Sequence, residues 1–358
     1  MDYSAYLPLM KKIREDGQFS LEILACGTHL SNFHGYTVEL IKKDGFVVAY
    51  EVESLILGDS PEAISSAMGL TMIKFSQIWQ QENYDLIICL GDRYEMFAAV
   101  ASSVPFNIPI AHLHGGETTL GAIDDKFRHC ITQMSQYHFT STAGHAQKVT
   151  SLIGTREGVH NVGALGLDNL NDLTLLNKPQ FFDRYGIDLN QPTILSTFHP
   201  ETVSADLNIH FVQEMILAME NLDYQIVITM PNADTRGNRI RDILNTFISQ
   251  NSRVFGIESF GPVGYYSCMK YCAFLLGNTS SGIIEAASFG KYTINLGDRQ
   301  KGREHGDNVI HCPVLSSEIL KAVQRVENAP QLEGRNIYGT GDTADKIMAV
   351  LRKMNDKP

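Results

Sequence analysis

Residues 111–129, AHLHGGETTLGAIDDKFRH, place three histidines, three carboxylates, a lysine and an arginine within nineteen positions. The segment that leads into this stretch, NIPIA, has the apolar pattern of a buried strand. Such a group is either a polar, solvated loop or an active site whose acids and bases transfer protons. The elements that position these residues decide between the two interpretations.

A second stretch whose residue types could form a functional site is GNTSSGIIEA, residues 277–286. An apolar strand precedes it and its serines open a helix, so backbone N–H groups and hydroxyls can hold a phosphate without a lysine. Glu285, one turn further on, is suited to accept hydrogen bonds from a ribose diol. The Gly-Lys-Ser/Thr ending of a P-loop is missing, which argues against ATP hydrolysis. The alternative interpretation is a plain serine N-cap.

Both stretches belong to a chain in which apolar runs alternate with helix-like segments. The runs with the pattern of strands are LEILAC, FVVAYEV, YDLIICLG, NIPIAHL, YHFTST, VHNVGAL, TILSTF, YQIVITMP, RVFGI, CAFLLGN, YTINLGD and NVIHCPV. Strands that are apolar on both faces and separated by helices predict parallel sheets covered on both sides. The fold class is therefore α/β, with two Rossmann-like, doubly wound domains.

A polar segment with two prolines, LDNLNDLTLLNKPQFFDRYGIDLNQP, marks the break between these domains. We predict an N-terminal domain of residues 1–168, which carries most catalytic residues, and a C-terminal domain of residues 169–341. The final helix, residues 342–358, can pack against either domain and is expected to cross back to the first.

In open α/β sheets, ligands bind at the carboxyl ends of the strands. Polar side chains, mostly together with glycine, follow five of the strand candidates, in GDRYE, HLHGGE, FHPE, GNTSSGIIEA and GDRQKGR. Any one of these segments can be an ordinary turn. The five together favour a binding site.

The composition of the chain limits which kinds of binding partner and cellular location are expected. The net charge of −11 argues against nucleic acid or an anionic membrane surface as the main partner. The six cysteines are scattered, mostly in apolar runs, which predicts reduced thiols in a cytoplasmic protein. No apolar run is long enough to span a bilayer.

A zinc site is the main alternative for His112 and His114, because two histidines on one strand can share a metal with a later ligand. In metal-dependent amidohydrolases, however, such a pair lies on the first strand of a barrel. Here it follows the fourth or fifth strand of an open sheet, so we expect His112 to be a hydrogen-bonded core residue. The spacing in CMKYC does not fit a zinc knuckle or a redox pair.

Five motifs resemble the hydrolysing UDP-N-acetylglucosamine 2-epimerases of bacterial sialic acid biosynthesis, in the same order and over nearly the whole chain. They are LGDRYEMFAA, IAHLHGGETTLGAIDDKFRH, FHPET, GNTSSGIIEAASFG and INLGDRQKGR. The resemblance implies two Rossmann-like domains facing a cleft, as in B-type glycosyltransferases. It implies elimination of UDP across C1–C2 to give a 2-acetamidoglucal, followed by addition of water and release of N-acetylmannosamine. It also implies a UDP-sugar as partner, a homo-oligomer, and no metal or nicotinamide cofactor.

The resemblance carries site residues over by motif. Candidates for proton transfer, or for orienting a carboxylate or phosphate, are Asp92, His114, Glu117, Asp124, Asp125 and Arg128. Candidates for binding UDP are His199, Ser280, Ser281, Gly282, Glu285 and Arg299. Many family members have glutamate where this chain has His114, although the sialic acid branch also has histidine there. Whether His114 or Glu117 acts as the acid or base is left open.

The start of the chain departs from the family pattern, which begins with a strand ending in G-T-R-A-D-Y. This sequence begins MDYSAYLPLMKKI, which aligns with the D-Y and the helix that follows. A central strand beside LEILAC is then missing, and we expect a gap with unpaired backbone groups. Poor expression or low activity of the 358-residue form is the expected consequence.

Other functions stay open at this point. The substrate can be UDP-N,N'-diacetylbacillosamine, on the way to legionaminic acid. A non-hydrolysing epimerase would release UDP-N-acetylmannosamine, and a glycosyltransferase would need an acceptor. A truncated protein would bind the nucleotide sugar without turnover. Free UDP together with N-acetylmannosamine among the products would distinguish a hydrolysing UDP-N-acetylglucosamine 2-epimerase from these other functions.

Overall fold

The computed structural model describes residues 2–32, 36–56, 60–118, 120, 123–200, 207–231 and 238–355. The chain forms two compact units: Met1–Asn169 with Tyr338–Pro358, and Leu170–Ile337. Within the described residues, no helix is long and apolar enough to cross a bilayer.

All of the strand candidates in the sequence form strands, each shorter than its apolar run. Those of the first unit are β1 Ile23–Cys26, β2 Val48–Val52, β3 Ile87–Leu90, β4 Ile110–Leu113, β5 Tyr137–Thr140 and β6 Val159–Asn161. Those of the second unit are β7 Thr193–Thr197, β8 Gln225–Thr229, β9 Val254–Ile257, β10 Phe274–Gly277, β11 Thr293–Leu296 and β12 Val309–Cys312.

Helices separate most of these strands. They are α1 Asp2–Glu15, α2 Val38–Lys43, α3 Pro61–Gln81, α4 Tyr94–Ser103, α5 Asp124–Met134, α6 Ala143–Ile153, α7 Asp168–Asp172, α8 Lys178–Tyr185, α9 Asn208–Glu220, α10 Asn238–Gln250, α11 Gly261–Tyr271, α12 Ser280–Ile284, α13 Ser316–Glu327 and α14 Thr343–Asn355.

The start of α3 shows why the boundaries fall where they do. The Ser60 hydroxyl accepts the Ala63 N–H at 3.1 Å, and Pro61 occupies the first turn.

Every strand pair in the described residues is parallel. The second unit has one six-stranded sheet in the order β12-β11-β10-β7-β8-β9. All residues of β4, β7, β10 and β11 are buried, as expected for strands covered by helices on both faces. The predicted α/β class, with parallel sheets in two domains, is confirmed.

The sheet of the first unit is divided. Strands β1 and β2 form one sheet, and β3-β4-β5-β6 form another. A cavity of about 780 Å³ is lined by both β1 and β3 and by apolar residues of the helices that cover them. Leu9 and Ile13 of α1 are among these residues, as are Phe75 and Trp79 of α3. The cavity therefore lies between β1 and β3.

The last helix returns to the first unit. Its N-terminus is capped by Asp168, whose carboxylate accepts the N–H groups of Thr343 at 3.0 Å and Ala344 at 2.6 Å. Further along α14, the Arg352 Nε donates to Asp16 at 2.7 Å. Residues 343–355 therefore complete the helical layer that α1 begins.

Candidate active site

The N-terminal candidates lie at the carboxyl ends of two neighbouring parallel strands. Asp92 follows β3 after Gly91, whose φ of +81° turns the chain away from the sheet. His114 is the first residue after β4, while Asp124 and Asp125 form the first turn of α5. Because β3 pairs with β4, these side chains leave the sheet at one edge.

His114 and Glu117 contact each other across the turn after β4. The φ of His114 is +63°, a left-handed conformation that costs energy in any residue other than glycine. Its Nδ1 lies 2.7 Å from Glu117 Oε1, and its Nε2 accepts the Leu165 N–H at 3.4 Å. Since Nε2 is an acceptor, the proton of neutral His114 lies on Nδ1 and is donated to the carboxylate.

Two glycines let this turn approach its neighbours closely. A Cβ on Gly116, whose φ is +83°, would lie 2.5 Å from the carbonyl oxygen of His145. A Cβ on Gly115 would lie 3.1 Å from Nδ1 of His112. Both positions in HGGE therefore favour glycine, because any larger residue would place a Cβ too close to a neighbouring atom.

Arg128 connects the two strand ends from a buried position. Its Nη1 donates to Asp125 Oδ1 at 2.8 Å and to the backbone carbonyl of Glu117 at 2.7 Å, while Nη2 donates to Asp92 Oδ2. A guanidinium presents its donors in a rigid fork, so these contacts fix the carboxylates relative to one another. Of the two roles that the sequence suggests for Arg128, the geometry supports orientation of carboxylates.

Asp92 has an electrostatic environment suited to holding a proton. Burial raises the pKa of its carboxyl group above the ordinary value, and the positive charge of Arg128 opposes that rise. The negative charges of Asp124, Glu117 and Asp125 raise the pKa further. A carboxyl group with a raised pKa can act as a general acid nearer neutral pH.

His112 is a core residue, as the sequence predicts. It is fully buried; its Nε2–H donates to the Gly91 carbonyl at 2.8 Å, and its Nδ1 accepts from the Thr132 hydroxyl at 3.1 Å. Burial lowers the pKa of His112 to about 3. With both ring nitrogens engaged by the protein, His112 is not presented as a metal ligand beside His114.

In the second unit, the fully buried Asn278 links three of the predicted motifs. Its Oδ1 accepts the His199 N–H at 2.7 Å, and its Nδ2 donates to the His199 carbonyl at 2.8 Å. Its backbone carbonyl accepts from Arg299 Nη1 at 2.9 Å and from Gln300 Nε2 at 2.8 Å. The ends of β7, β10 and β11 are joined in this way.

The predicted serine turn follows β10 directly. Ser280 and Ser281 are the first residues of α12 and are partly exposed, and Thr279 caps the helix by accepting the Ser281 N–H at 3.4 Å. A Cβ on Gly282 would lie 2.5 Å from the Thr293 methyl group. Gly282 therefore allows this short helix to pack against β11.

Glu285 places a buried carboxylate beside this turn. The Tyr266 hydroxyl donates to Oε1 at 3.5 Å, while Oε2 is buried with no hydrogen-bond partner among the described residues. Burial raises the pKa of Glu285 to about 7, and the charge of Arg303 opposes the rise. A buried acceptor without a protein partner is open to a ligand hydroxyl.

Comparison with known proteins identifies the family. A family model described as UDP-N-acetylglucosamine 2-epimerase matches residues 11–352. The chain belongs to this family. A Legionella pneumophila relative named UDP-N,N'-diacetylbacillosamine 2-epimerase (hydrolyzing) is 33% identical over 352 residues, which cover 98% of this chain and 93% of the relative. An Escherichia coli relative, polysialic acid biosynthesis protein P7, is 33% identical over 90% of this chain and 82% of its own length.

The fold of the epimerase family also matches. The crystal structure of UDP-GlcNAc 2-epimerase from Neisseria meningitidis bound to UDP-GlcNAc has a TM-score of 0.79. It is 16% identical, and the match covers 98% of this chain and 97% of the other. The chain is an epimerase-family enzyme with a glycosyltransferase-B-like α/β fold.

Three residues that contact the candidate site residues, directly or through one another, are absent from the candidates drawn from the sequence: Ser141, His145 and Asn278. Ser141 follows β5, so the rule that ligands meet the carboxyl ends of strands would have found it in YHFTST. His145 lies in the first turn of α6, where its residue type and spacing alone give no signal. Asn278 stands within GNTSSG, but its bridging role depends on β7, which is distant in the sequence.

Proposed function

We propose that the protein is a cytoplasmic, homo-oligomeric hydrolysing 2-epimerase that converts UDP-N-acetylglucosamine and water to N-acetylmannosamine and UDP. The observation that carries this proposal is the pair of differently held carboxylates, Asp92 on Arg128 and Glu117 on His114, at adjacent strand ends. Abstraction of a weakly acidic C2 proton and hydration of the resulting alkene require separate proton-transfer groups. Membership of the family and the UDP-sugar names of its relatives support this chemistry.

The reaction balances in two steps. In the first, a base takes the C2 proton while the C1–O bond breaks and UDP leaves with its electron pair, which forms a C1–C2 double bond. In the second, water adds its hydroxyl to C1 and loses a proton to solvent, while an acid adds a proton to C2 with inversion. Exchange with solvent then returns the base and the acid to their starting protonation states. We assign the base to Glu117, whose carboxylate His114 orients, and the acid to Asp92, because burial raises its pKa.

The nucleotide is assigned to the second unit. Glu285 accepts hydrogen bonds from the ribose hydroxyls, while Ser280, Ser281 and the Gly282 backbone face the phosphates. The unpartnered Oε2 of Glu285 supports the ribose assignment. Charge that develops on the leaving diphosphate is stabilised by backbone N–H groups and by cations such as Arg299.

A second candidate substrate is UDP-N,N'-diacetylbacillosamine. It is favoured by the 33% identity to the Legionella pneumophila relative over 98% of this chain. Both substrates carry the 2-acetamido group and the C2 hydrogen that the elimination requires, so the cluster around Arg128 serves either sugar. The two sugars differ in the groups at C4 and C6, so preference for one substrate depends on how the protein accommodates those groups.

Incubation with each UDP-sugar, followed by measurement of UDP and free sugar, tests the proposal. Equal amounts of UDP and the free manno-configured sugar are expected from the preferred substrate. UDP-N-acetylmannosamine as the product would contradict hydrolysis, and a requirement for an acceptor would indicate a glycosyltransferase. Nucleotide binding without any turnover would contradict an enzymatic role for this chain.

A further inference from the structure

A buried serine and a buried histidine lie behind Glu117. Ser141 is fully buried directly after β5, and His145 is 6% exposed in the first turn of α6. Ser141 Oγ is 2.9 Å from Glu117 Oε1 and 2.9 Å from His145 Nδ1. Together with His114, these side chains form a continuous hydrogen-bonded row, His114–Glu117–Ser141–His145.

We propose that Ser141 and His145 are positioning residues for the epimerase reaction and act by holding the Glu117 carboxylate in one orientation. The inference rests on the proposed function, because it names the groups through which Glu117 is set for proton transfer. Neither residue is assigned a contact with the substrate.

The number of protons available determines which group donates and which accepts in each hydrogen bond of the row. A serine hydroxyl carries one proton and can accept as well as donate. While Glu117 is ionised, Ser141 donates that proton to Oε1, so its oxygen must accept the Nδ1–H of His145. His114 donates to the same Oε1 from the other side. Two donors therefore fix one carboxylate oxygen, and His145 sets the direction of the serine proton.

The backbone holds the row rigidly. The Thr142 hydroxyl accepts the His145 N–H at 3.1 Å and caps α6. Gly116 packs so closely on this first turn that a Cβ there would lie 2.5 Å from the His145 carbonyl oxygen. The turn that carries Glu117 and the helix that carries His145 are thus in direct contact, which limits the freedom of the carboxylate.

The test removes the hydrogen-bonding group of Ser141 or of His145, and then restores a donor at position 145. Ser141→Ala and His145→Leu are expected to lower kcat by about 10- to 100-fold, the effect of losing a hydrogen bond to or next to a charged group. KM and UDP affinity should change less than about threefold, and the pH profile of kcat should shift. His145→Asn, which keeps an N–H donor near the Nδ1 position, should recover part of kcat. Ser151→Ala is the matched control, because Ser151 is exposed on the same helix.

A double mutant separates positioning from mere structural support. If Ser141 acts through Glu117, then Ser141→Ala should change kcat little in a Glu117→Gln background. Additive losses would overturn the proposal, as would wild-type kcat and pH profile in both single variants. Ser141→Cys, nearly the same size but a poor donor, should show the same loss and covers the case in which the alanine variant does not fold.

Crystal structures of wild type and Ser141→Ala give a readout that needs no substrate. The Glu117 carboxylate is expected to rotate when the serine hydroxyl is removed, and an unmoved carboxylate would overturn the proposal. Inactivity of the wild-type enzyme on both UDP-sugars would count against the proposed function instead. The two failures are therefore distinguishable.

Discussion

At the scale of single residues, Asp92 and Glu117 are held in different ways. Asp92 is paired with the guanidinium of Arg128, yet burial and neighbouring carboxylates raise its pKa. Glu117 accepts instead from the His114 ring and the Ser141 hydroxyl. Two carboxyl groups in such different environments can divide the acid and base roles.

Removal of either carboxylate should therefore remove proton transfer. Asp92→Asn and Glu117→Gln are each expected to lower turnover by roughly two to four orders of magnitude, the usual contribution of a general acid or base. UDP affinity, measured by calorimetry, should change little. Glu62→Gln, on the exposed face of α3, is the control. Near-normal turnover in both active-site variants would show that the chemistry lies elsewhere.

Glu285 predicts a pH dependence of UDP binding. Its pKa is about 7 in the folded protein, so its carboxylate form, to which we assign the ribose hydroxyls, increases from pH 6 to pH 8. The part of UDP affinity that depends on Glu285 should rise over this range and vanish in Glu285→Gln. Calorimetry at several pH values measures it, with Glu333→Gln, an exposed carboxylate paired with Arg335, as control. Identical pH dependence in wild type and Glu285→Gln would contradict the ribose assignment.

The same shift has the opposite effect on the stability of the free protein. The folded protein keeps the Glu285 proton up to about pH 7, whereas the unfolded chain releases it near the ordinary value of 4.5. The free energy of unfolding therefore falls as the pH rises from 4.5 to 7. At pH 8, Glu285→Gln is expected to be more stable than wild type, on the order of 1–3 kcal/mol. Denaturant titration checks this, and a less stable variant at pH 8 would contradict the buried, uncompensated carboxylate.

At the scale of elements, the turn after β4 depends on Gly116. An alanine there would combine a left-handed φ with a close contact to the first turn of α6. Gly116→Ala is expected to lower the free energy of unfolding by about 2 kcal/mol or more and to lower turnover. Gly69→Ala is the matched control, because a Cβ at that helical position meets nothing within 4 Å, and it should be neutral or slightly stabilising. Equal stability of the two variants would contradict the close packing of this turn.

The elements themselves could be predicted, because buried parallel strands are continuous apolar runs. Ile110–Leu113 and Phe274–Gly277 are examples, and the polar segments that follow the strands contain the candidates Asp92, Glu117 and Glu285. The contacts that tune the site could not be predicted in this way. The Ser141–Glu117 hydrogen bond spans 24 positions and the His199–Asn278 bonds span 79, so they exist only once the strands are aligned.

At the scale of the whole molecule, the divided sheet of the first unit predicts uneven stability. Strand β4 lies between two partner strands, whereas β1 pairs only with β2 among the described strands and borders the cavity. Amides of β1 should exchange with solvent on the order of 100-fold faster than those of β4. Hydrogen exchange followed by mass spectrometry measures this, with β8, interior to the other sheet, as reference. Equal protection of β1 and β4 would contradict the division of the sheet.

The fate of the hydrogen at C2 tests the central claim most directly. When the preferred UDP-sugar is turned over in deuterium oxide, elimination and hydration should leave one deuterium at C2 of the free manno-configured product, as seen by NMR. Asp92→Asn and Glu117→Gln should give little of that product in the same time. A free sugar that keeps its original C2 hydrogen, or retains the gluco configuration, would contradict the account.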